Sequence, residues 1–380
     1  MDRQKFLSIL LLVSPVLNVY GFVPFGFGTL IYGLISAALF FHNRKMKLLE
    51  LPWYILYLLA WRSIVAISNG DILHIVSPNL MLFIFGFLSL SIIDINYFIK
   101  YYKIIAILIC LIFLMQYVGY YLFDLRLIFV SNIIPLNTGL PNNEYISTIL
   151  LNSNRFSTFF LEPAHQSIYL IPLLVYYSTI RTYNIREYIA LFILMLVLVL
   201  SNSGVGIISA FSIFISIILR KYSNMKLLFF ALFPLIVILI YYSNIVELLG
   251  PRSNEIFDPK DTDSGYIRVL RGFWVFDALD NYSKVFGLGI PGNLLEVSSK
   301  TYLFLDDDDL YLSGFHYILV YSGIIGAGLF LLHIFHKFKR FMRNFVSIII
   351  ILMLVTPFFP SQEMLFIYVI FNKLTHVKEI

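Results

Sequence analysis

Apolar runs recur along the chain, near 6–23, 27–41, 51–68, 80–95, 102–123, 164–180, 187–201, 204–219, 226–242, 313–333, 345–359 and 362–374, of which the second, seventh, eighth, eleventh and twelfth are short. A hydrocarbon core about 30 Å thick is crossed by roughly 20 apolar residues in a helix. No water reaches that core, so every backbone N–H and C=O must be bonded inside the protein. Only helices and closed barrels meet that demand. The runs here are continuous rather than alternating, which excludes a barrel. The chain is 59% hydrophobic and 13% charged, against about 25% charge in soluble domains. The expected fold is an all-α polytopic membrane protein of twelve spans.

The positions of the cations orient these spans. With the N-terminus inside, the inner segments hold Arg3, Lys5, Arg44, Lys45, Lys47, Lys100, Lys103, Arg181, Arg186, Arg220, Lys221, Lys226, Lys337, Lys339, Arg340, Arg343, Lys373 and Lys378. The short outer turns near Pro24, Asp71, Asn202 and Pro357 hold none. That is the positive-inside pattern, and it places both termini inside. The start Met1-Asp2-Arg3-Gln4-Lys5 before an apolar run mimics a signal peptide, but no small-x-small cleavage motif follows, so it reads as a retained first helix. The net charge of +5 reflects inner loops, not nucleic-acid binding. Cys110, the single cysteine, lies in an apolar run, so neither an intrachain disulfide nor a cysteine metal site is expected.

The expected organisation is spans one to five over 1–123, an outer loop over 124–163, spans six to nine over 164–242, a large outer loop over 243–312, and spans ten to twelve over 313–380. Eight of the 27 Lys and Arg residues fall in the two outer loops: Arg126, Arg155, Arg252, Lys260, Arg268, Arg271, Lys284 and Lys300. Long loops translocate largely regardless of charge, so these cations are tolerated there but not thereby explained. Arg62 is the one base inside a span. It reads either as half of a packing pair with Asp94 or as the lining of a cavity.

The first outer loop ends in Asn154-Arg155-Phe156-Ser157-Thr158-Phe159-Phe160-Leu161-Glu162-Pro163-Ala164-His165. Pro163 suits the first turn of a helix. Glu162 would then sit at a helix N-terminus, where negative charge is favoured, and His165 one turn further in. Two readings stand at this point. Glu162 is a cap with Arg155 as its ion-pair partner, or Arg155, Glu162 and His165 carry chemistry on an anionic, lipid-linked substrate.

In the second outer loop Ser264 is an expected N-cap, with Ile267, Leu270 and Trp274 at helical spacing on one face and Arg268 and Arg271 on another. Paired guanidiniums suit a diphosphate, since each donates two parallel hydrogen bonds. The bland reading is an amphipathic surface helix with solvated arginines. Gly287-Leu288-Gly289 permits a turn or a close backbone approach to a ligand. Asp306-Asp307-Asp308-Asp309 and the group Asp258, Asp261 and Asp263 read as solvated acids, the latter lacking the closing Glu of a calcium loop. No metal site is assigned. His316, at the outer end of the tenth span, reads as a proton acceptor or as an interfacial structural histidine.

These segments resemble a known family. Arg155 to Pro163 resembles the Arg-x-x-Gly/Ser-x-Phe-x-Glu-Pro element of Wzy-type O-antigen polymerases. Leu200-Ser201-Asn202-Ser203-Gly204-Val205-Gly206 resembles their short outer Ser-x-Ser-x-x-Gly turn. The large outer loop resembles theirs too, with Arg271 followed by Gly287-Leu288-Gly289. His316 ahead of Tyr321-Ser322-Gly323 resembles the His junction of the related O-antigen ligases, which more often carry His-Asn where this chain has His316-Tyr317. The resemblance implies a GT-C-like glycosyltransferase of the bacterial inner membrane with its active site on the periplasmic face. Its substrates would be undecaprenyl-diphosphate-linked oligosaccharides, its surroundings membrane lipid and a chain-length regulator protein its implied partner. No cofactor, metal or nucleic acid is implied. In that scheme Arg155, Arg268 and Arg271 hold the diphosphate. Glu162 or His316 takes the acceptor's proton with His165 in support, and the anomeric centre inverts. Pro172 and Pro234 would bend spans to admit the lipid tail. A lipid-linked oligosaccharide flippase is the alternative outside enzymology, disfavoured because few charges lie within spans.

Overall fold

The computed structural model describes residues 3–22, 25–42, 53–69, 95–130, 133–136, 156–179, 184–220, 272–289 and 312–338. Helices dominate. They are α1 (Arg3–Leu17), α2 (Phe27–His42), α3 (Trp53–Asn69), α4 (Ile95–Phe123), α5 (Pro163–Thr179), α6 (Ile185–Leu200), α7 (Gly204–Arg220), α8 (Gly272–Ala278), α9 (Asn281–Phe286) and α10 (Gly314–Phe338). One two-residue hairpin, β1 (Gly21–Phe22) with β2 (Phe25–Gly26), joins α1 to α2.

Among the described residues two helices, α4 and the Gly314–Phe335 part of α10, are long and apolar enough to cross a membrane. Shorter apolar stretches occur at Lys5–Leu17, Leu56–Val65 and Gly204–Phe214. Several expected boundaries shift. The first helix stops at Leu17 and gives way to the hairpin, where an unbroken span to residue 23 was expected. The fifth begins at Ile95, seven residues before the expected start, so Lys100 lies within helix rather than in a connection. The expected spans near 226–242, 345–359 and 362–374, and all but the end of that near 80–95, lie outside the described residues.

The chain divides into two compact units, one drawn from Met1–Met46, Ser91–Val237 and Gln362–Ile380, the other from Lys47–Leu90 and Ile238–Ser361. In the first, α1, α2 and α4 to α7 pack side by side. At one end Lys103 of α4 pairs with Glu187 of α6 at 3.4 Å and lies over the Tyr176 and Tyr177 rings of α5. Lys5 of α1 lies over Tyr97 of α4. At the other end the hairpin meets the chain that follows α4, through a bridge from Tyr20 to Leu136 and the Gly21 N–H bonded to the Pro135 carbonyl at 3.0 Å. Val19, Tyr20, Val130 and Leu136 form a small core there.

In the second unit α3 and α10 pack together, with Tyr54 against Phe330 and His333. Residues 272–289 do not stand off as a free loop. The short helices α8 and α9 lie on α10 and share a core of Val275, Leu279, Leu288, Leu312, Val320 and Tyr321. The expected apolar face through Trp274 is not the buried one: Trp274 is exposed, while Gly272 and Val275 are buried.

Candidate functional site

In the first unit, α5 starts at Pro163, whose missing N–H is no loss at the first helical position. Glu162 therefore occupies the N-cap. Its backbone carbonyl accepts from the Gln166 N–H at 3.3 Å. Its side chain is exposed and, among the described residues, accepts no backbone N–H and joins no ion pair. Glu162 thus holds the helix-end position of the capping reading, whose ion-pair partner, Arg155, lies outside the described residues. His165 follows, half-buried, on the same first turn. Arg155, the other member of the expected group, lies outside the described residues.

The chain enters α5 through a tight turn. Ser157 Oγ donates to the Phe160 carbonyl at 2.6 Å, and the Phe160 N–H to the Ser157 carbonyl at 2.8 Å. Thr158, within this turn, has a φ of +52°. That region is costly for a β-branched side chain. Two buried glutamines face it. Gln116 of α4 accepts the Thr158 N–H at 3.0 Å and donates to the Leu127 carbonyl at 2.8 Å. Gln166 of α5 accepts from Thr158 Oγ1 at 3.5 Å. The rings of Tyr117 and Tyr120 flank Phe156, and Arg126 lies over Tyr120.

The turn between α6 and α7 packs on the same first turns of α5. Ser167 Oγ lies 3.4 Å from Ser201 Oγ. A Cβ on Gly206 would lie 2.6 Å from Ser167 Oγ and 2.7 Å from the Leu198 carbonyl oxygen, so glycine is required for this approach. The start of α5 and the segment 200–206, distant in sequence, are neighbours. Pro172 lies within α5 and withholds the N–H that would meet the Ile168 carbonyl; Pro234 lies outside the described residues.

The second unit holds the other pair of motif segments. His316 is fully buried on the first turn of α10. Gly272 lies flat against its ring, where any Cβ would overlap the imidazole. Phe273 meets the ring edge-on at 4.4 Å. Arg271 is therefore the residue before a direct contact of His316, although Arg271 and Arg268 themselves lie outside the described residues. Ser313 Oγ is 2.7 Å from His316 Nδ1 and 3.5 Å from the His316 backbone N. Ser313 is fully buried. Either atom can be the donor of this contact, so it holds the ring in place without fixing which nitrogen is protonated.

Gly287, Leu288 and Gly289 make a close backbone approach to a helix, α10. The Leu288 N–H bonds the Val320 carbonyl at 3.0 Å, and the Gly289 N–H bonds the Tyr321 carbonyl at 2.9 Å. Gly323 has φ +63° and breaks α10 there. Gly287 and Gly323 meet backbone to backbone, and neither has room for a Cβ. From α3, Tyr57 donates to the Phe286 carbonyl at 2.8 Å and the Ser322 carbonyl at 3.2 Å, and Trp61 Nε1 to the Gly287 carbonyl at 3.1 Å. Arg62, next on α3, has its possible partner Asp94 outside the described residues, as are Asp306 to Asp309.

Sequence reasoning passed over Gln116, Gln166, Ser167 and Ser313, and named Thr158 and Ser201 only as members of motifs. The available signal was an uncharged polar side chain inside an apolar run. No protein-family model matches the chain, and no curated protein or solved structure matches it.

Proposed function

We propose that this protein is a surface-polysaccharide polymerase of the O-antigen type, an integral glycosyltransferase acting at the periplasmic face of the bacterial inner membrane. It transfers a glycan from undecaprenyl diphosphate onto the non-reducing end of another lipid-linked repeat unit. The observation that carries the reading is the pairwise packing of the four motif segments. Ser167 meets Ser201 and Gly206 in one unit; Gly272 meets His316, and Gly287 to Gly289 meet Val320 to Gly323, in the other. A twelve-span topology with both termini inside belongs to this reading. The contacts at the two ends of the first unit support it, since each joins ends that the charge pattern assigns to one side.

In the reaction, a sugar hydroxyl of the acceptor attacks the anomeric carbon of the donor. The new glycosidic bond forms as the bond to the diphosphate oxygen breaks, and the lipid diphosphate leaves with the electron pair. Glu162 takes the hydroxyl proton, since its carboxylate is exposed and engages no cation among the described residues. His165 supports it from the same helical turn. Arg155, Arg268 and Arg271 hold the diphosphate and stabilise its developing charge.

The test is a gel of surface polysaccharide from cells lacking the gene. A single repeat unit on the lipid A core, with no ladder above it, is expected. Loss of all attached glycan, with lipid-linked polymer accumulating in the periplasmic leaflet, would assign a ligase instead. Unpolymerised units trapped in the cytoplasmic leaflet would overturn the enzyme reading in favour of a flippase.

A further inference from the structure

We infer that Gln116 and Gln166 are positioning residues for this transfer, acting through Thr158. The inference rests on the proposed function and concerns the same segment. Thr158 lies between Arg155 and Glu162 in sequence, so its backbone conformation sets the direction in which the chain leaves one and reaches the other. Its φ of +52° is one that a β-branched residue adopts only under constraint. The constraint is visible. Gln116 uses both ends of its amide, holding the Thr158 N–H at 3.0 Å and the Leu127 carbonyl at 2.8 Å. Gln166 accepts from the Thr158 hydroxyl at 3.5 Å.

The arrangement is a poor one if stability alone were served. Gln116 is 4% exposed and Gln166 fully buried. Gln166 Nε2 is enclosed with no hydrogen-bond acceptor among the described residues, and a buried donor left so is unfavourable. A glycine at 158 would take the same backbone conformation with no clamp. The chain instead holds a strained threonine with two amides from two different helices. Such over-determined strain is typical of segments whose geometry matters for function. Rigidity here would keep the Glu162 carboxylate at a fixed place on the first turn of α5.

The experiment uses the full-length protein in lipid nanodiscs with purified lipid-linked repeat units. It compares Gln116→Leu, Gln166→Met, Thr158→Gly and the double variant Gln116→Leu/Thr158→Gly. The single glutamine variants should lower kcat about tenfold to a hundredfold, as misplacement of a reacting group does, with KM changed by less than about threefold. Thr158→Gly should return the Gln116→Leu enzyme to within about fivefold of wild type, since glycine needs no clamp. Chymotrypsin should cut the Phe156–Leu161 segment faster in Gln116→Leu than in wild type. Glutamine variants within about twofold of wild-type kcat would overturn the inference, as would lost activity that Thr158→Gly fails to restore. If the wild type elongates no lipid-linked glycan, the proposed function fails. The proteolysis comparison then decides the clamp by itself: equal cutting of Gln116→Leu and wild type removes it.

Discussion

Ser313 Oγ and His316 Nδ1 share a hydrogen bond across 2.7 Å, and both side chains are fully buried. The serine thereby holds the ring at one of its two nitrogens. Ser313→Ala would leave Nδ1 buried without this partner, at a cost of about 1–3 kcal/mol. His316→Gln, which keeps a hydrogen-bonding amide, should retain more chain growth than His316→Ala. Equal loss in the two variants, measured as polymer formed from purified lipid-linked units, would sink a hydrogen-bonding role for the ring.

Glu162 carries the opposite expectation. Its carboxylate is exposed at the start of α5 and joins no ion pair among the described residues. Glu162→Gln should leave the folded amount in membranes unchanged and lower transfer by about 10²–10⁴, the usual span for loss of a general base. A normal polysaccharide ladder in cells carrying Glu162→Gln would remove it as the base.

Gly272 should be intolerant of any side chain. A Cβ there overlaps the His316 imidazole, and over-packing a close contact costs about 1–3 kcal/mol. Gly272→Ala should therefore lower the unfolding temperature in detergent and reduce transfer at the same time. Unaltered thermal stability and activity together would contradict the packing described.

Gly206 offers a test of the contact between α5 and the turn before α7. Its Ala variant would press on Ser167 Oγ at 2.6 Å and on the Leu198 carbonyl oxygen at 2.7 Å. A destabilisation of about 1–3 kcal/mol is expected. Adding Ser167→Ala should recover only part of it, because the carbonyl is backbone and cannot be trimmed. Complete recovery in the double variant would mean that the hydroxyl alone sets the spacing.

How much of this was readable beforehand depends on the physics of each feature. The helices α2, α3, α5, α6 and α7 fall within a few residues of the apolar runs, because hydropathy in long runs is a strong and local signal. Pro163 marks the start of α5 for an equally local reason. The hairpin after Leu17 was missed because the residues leading into it, Val19 to Phe22, carry no charge and continue the apolar run of the helix before them. The packing partner of the Gly287 and Gly289 pair was hidden for a different reason. Their need for space was evident, but the object filling it, the backbone of α10, comes from a later segment. The glutamine clamp on Thr158 was invisible because Gln116 and Gln166 act through a turn remote from Gln116 in sequence, and no pattern of charge or period announces an amide.

The break in α10 bears on transport. A helix interrupted within a membrane exposes carbonyls with a net negative end, and transporters place coupling cations at such ends. Here the Val320, Tyr321 and Ser322 carbonyls are already occupied by the Leu288 N–H, the Gly289 N–H and the Tyr57 hydroxyl. The protein's own donors stabilise the negative end that the break creates, at oxygens that each keep a second lone pair. A cation drawn to this joint would compete with those donors, and turnover unchanged on exchanging sodium for potassium at constant ionic strength is the expected outcome.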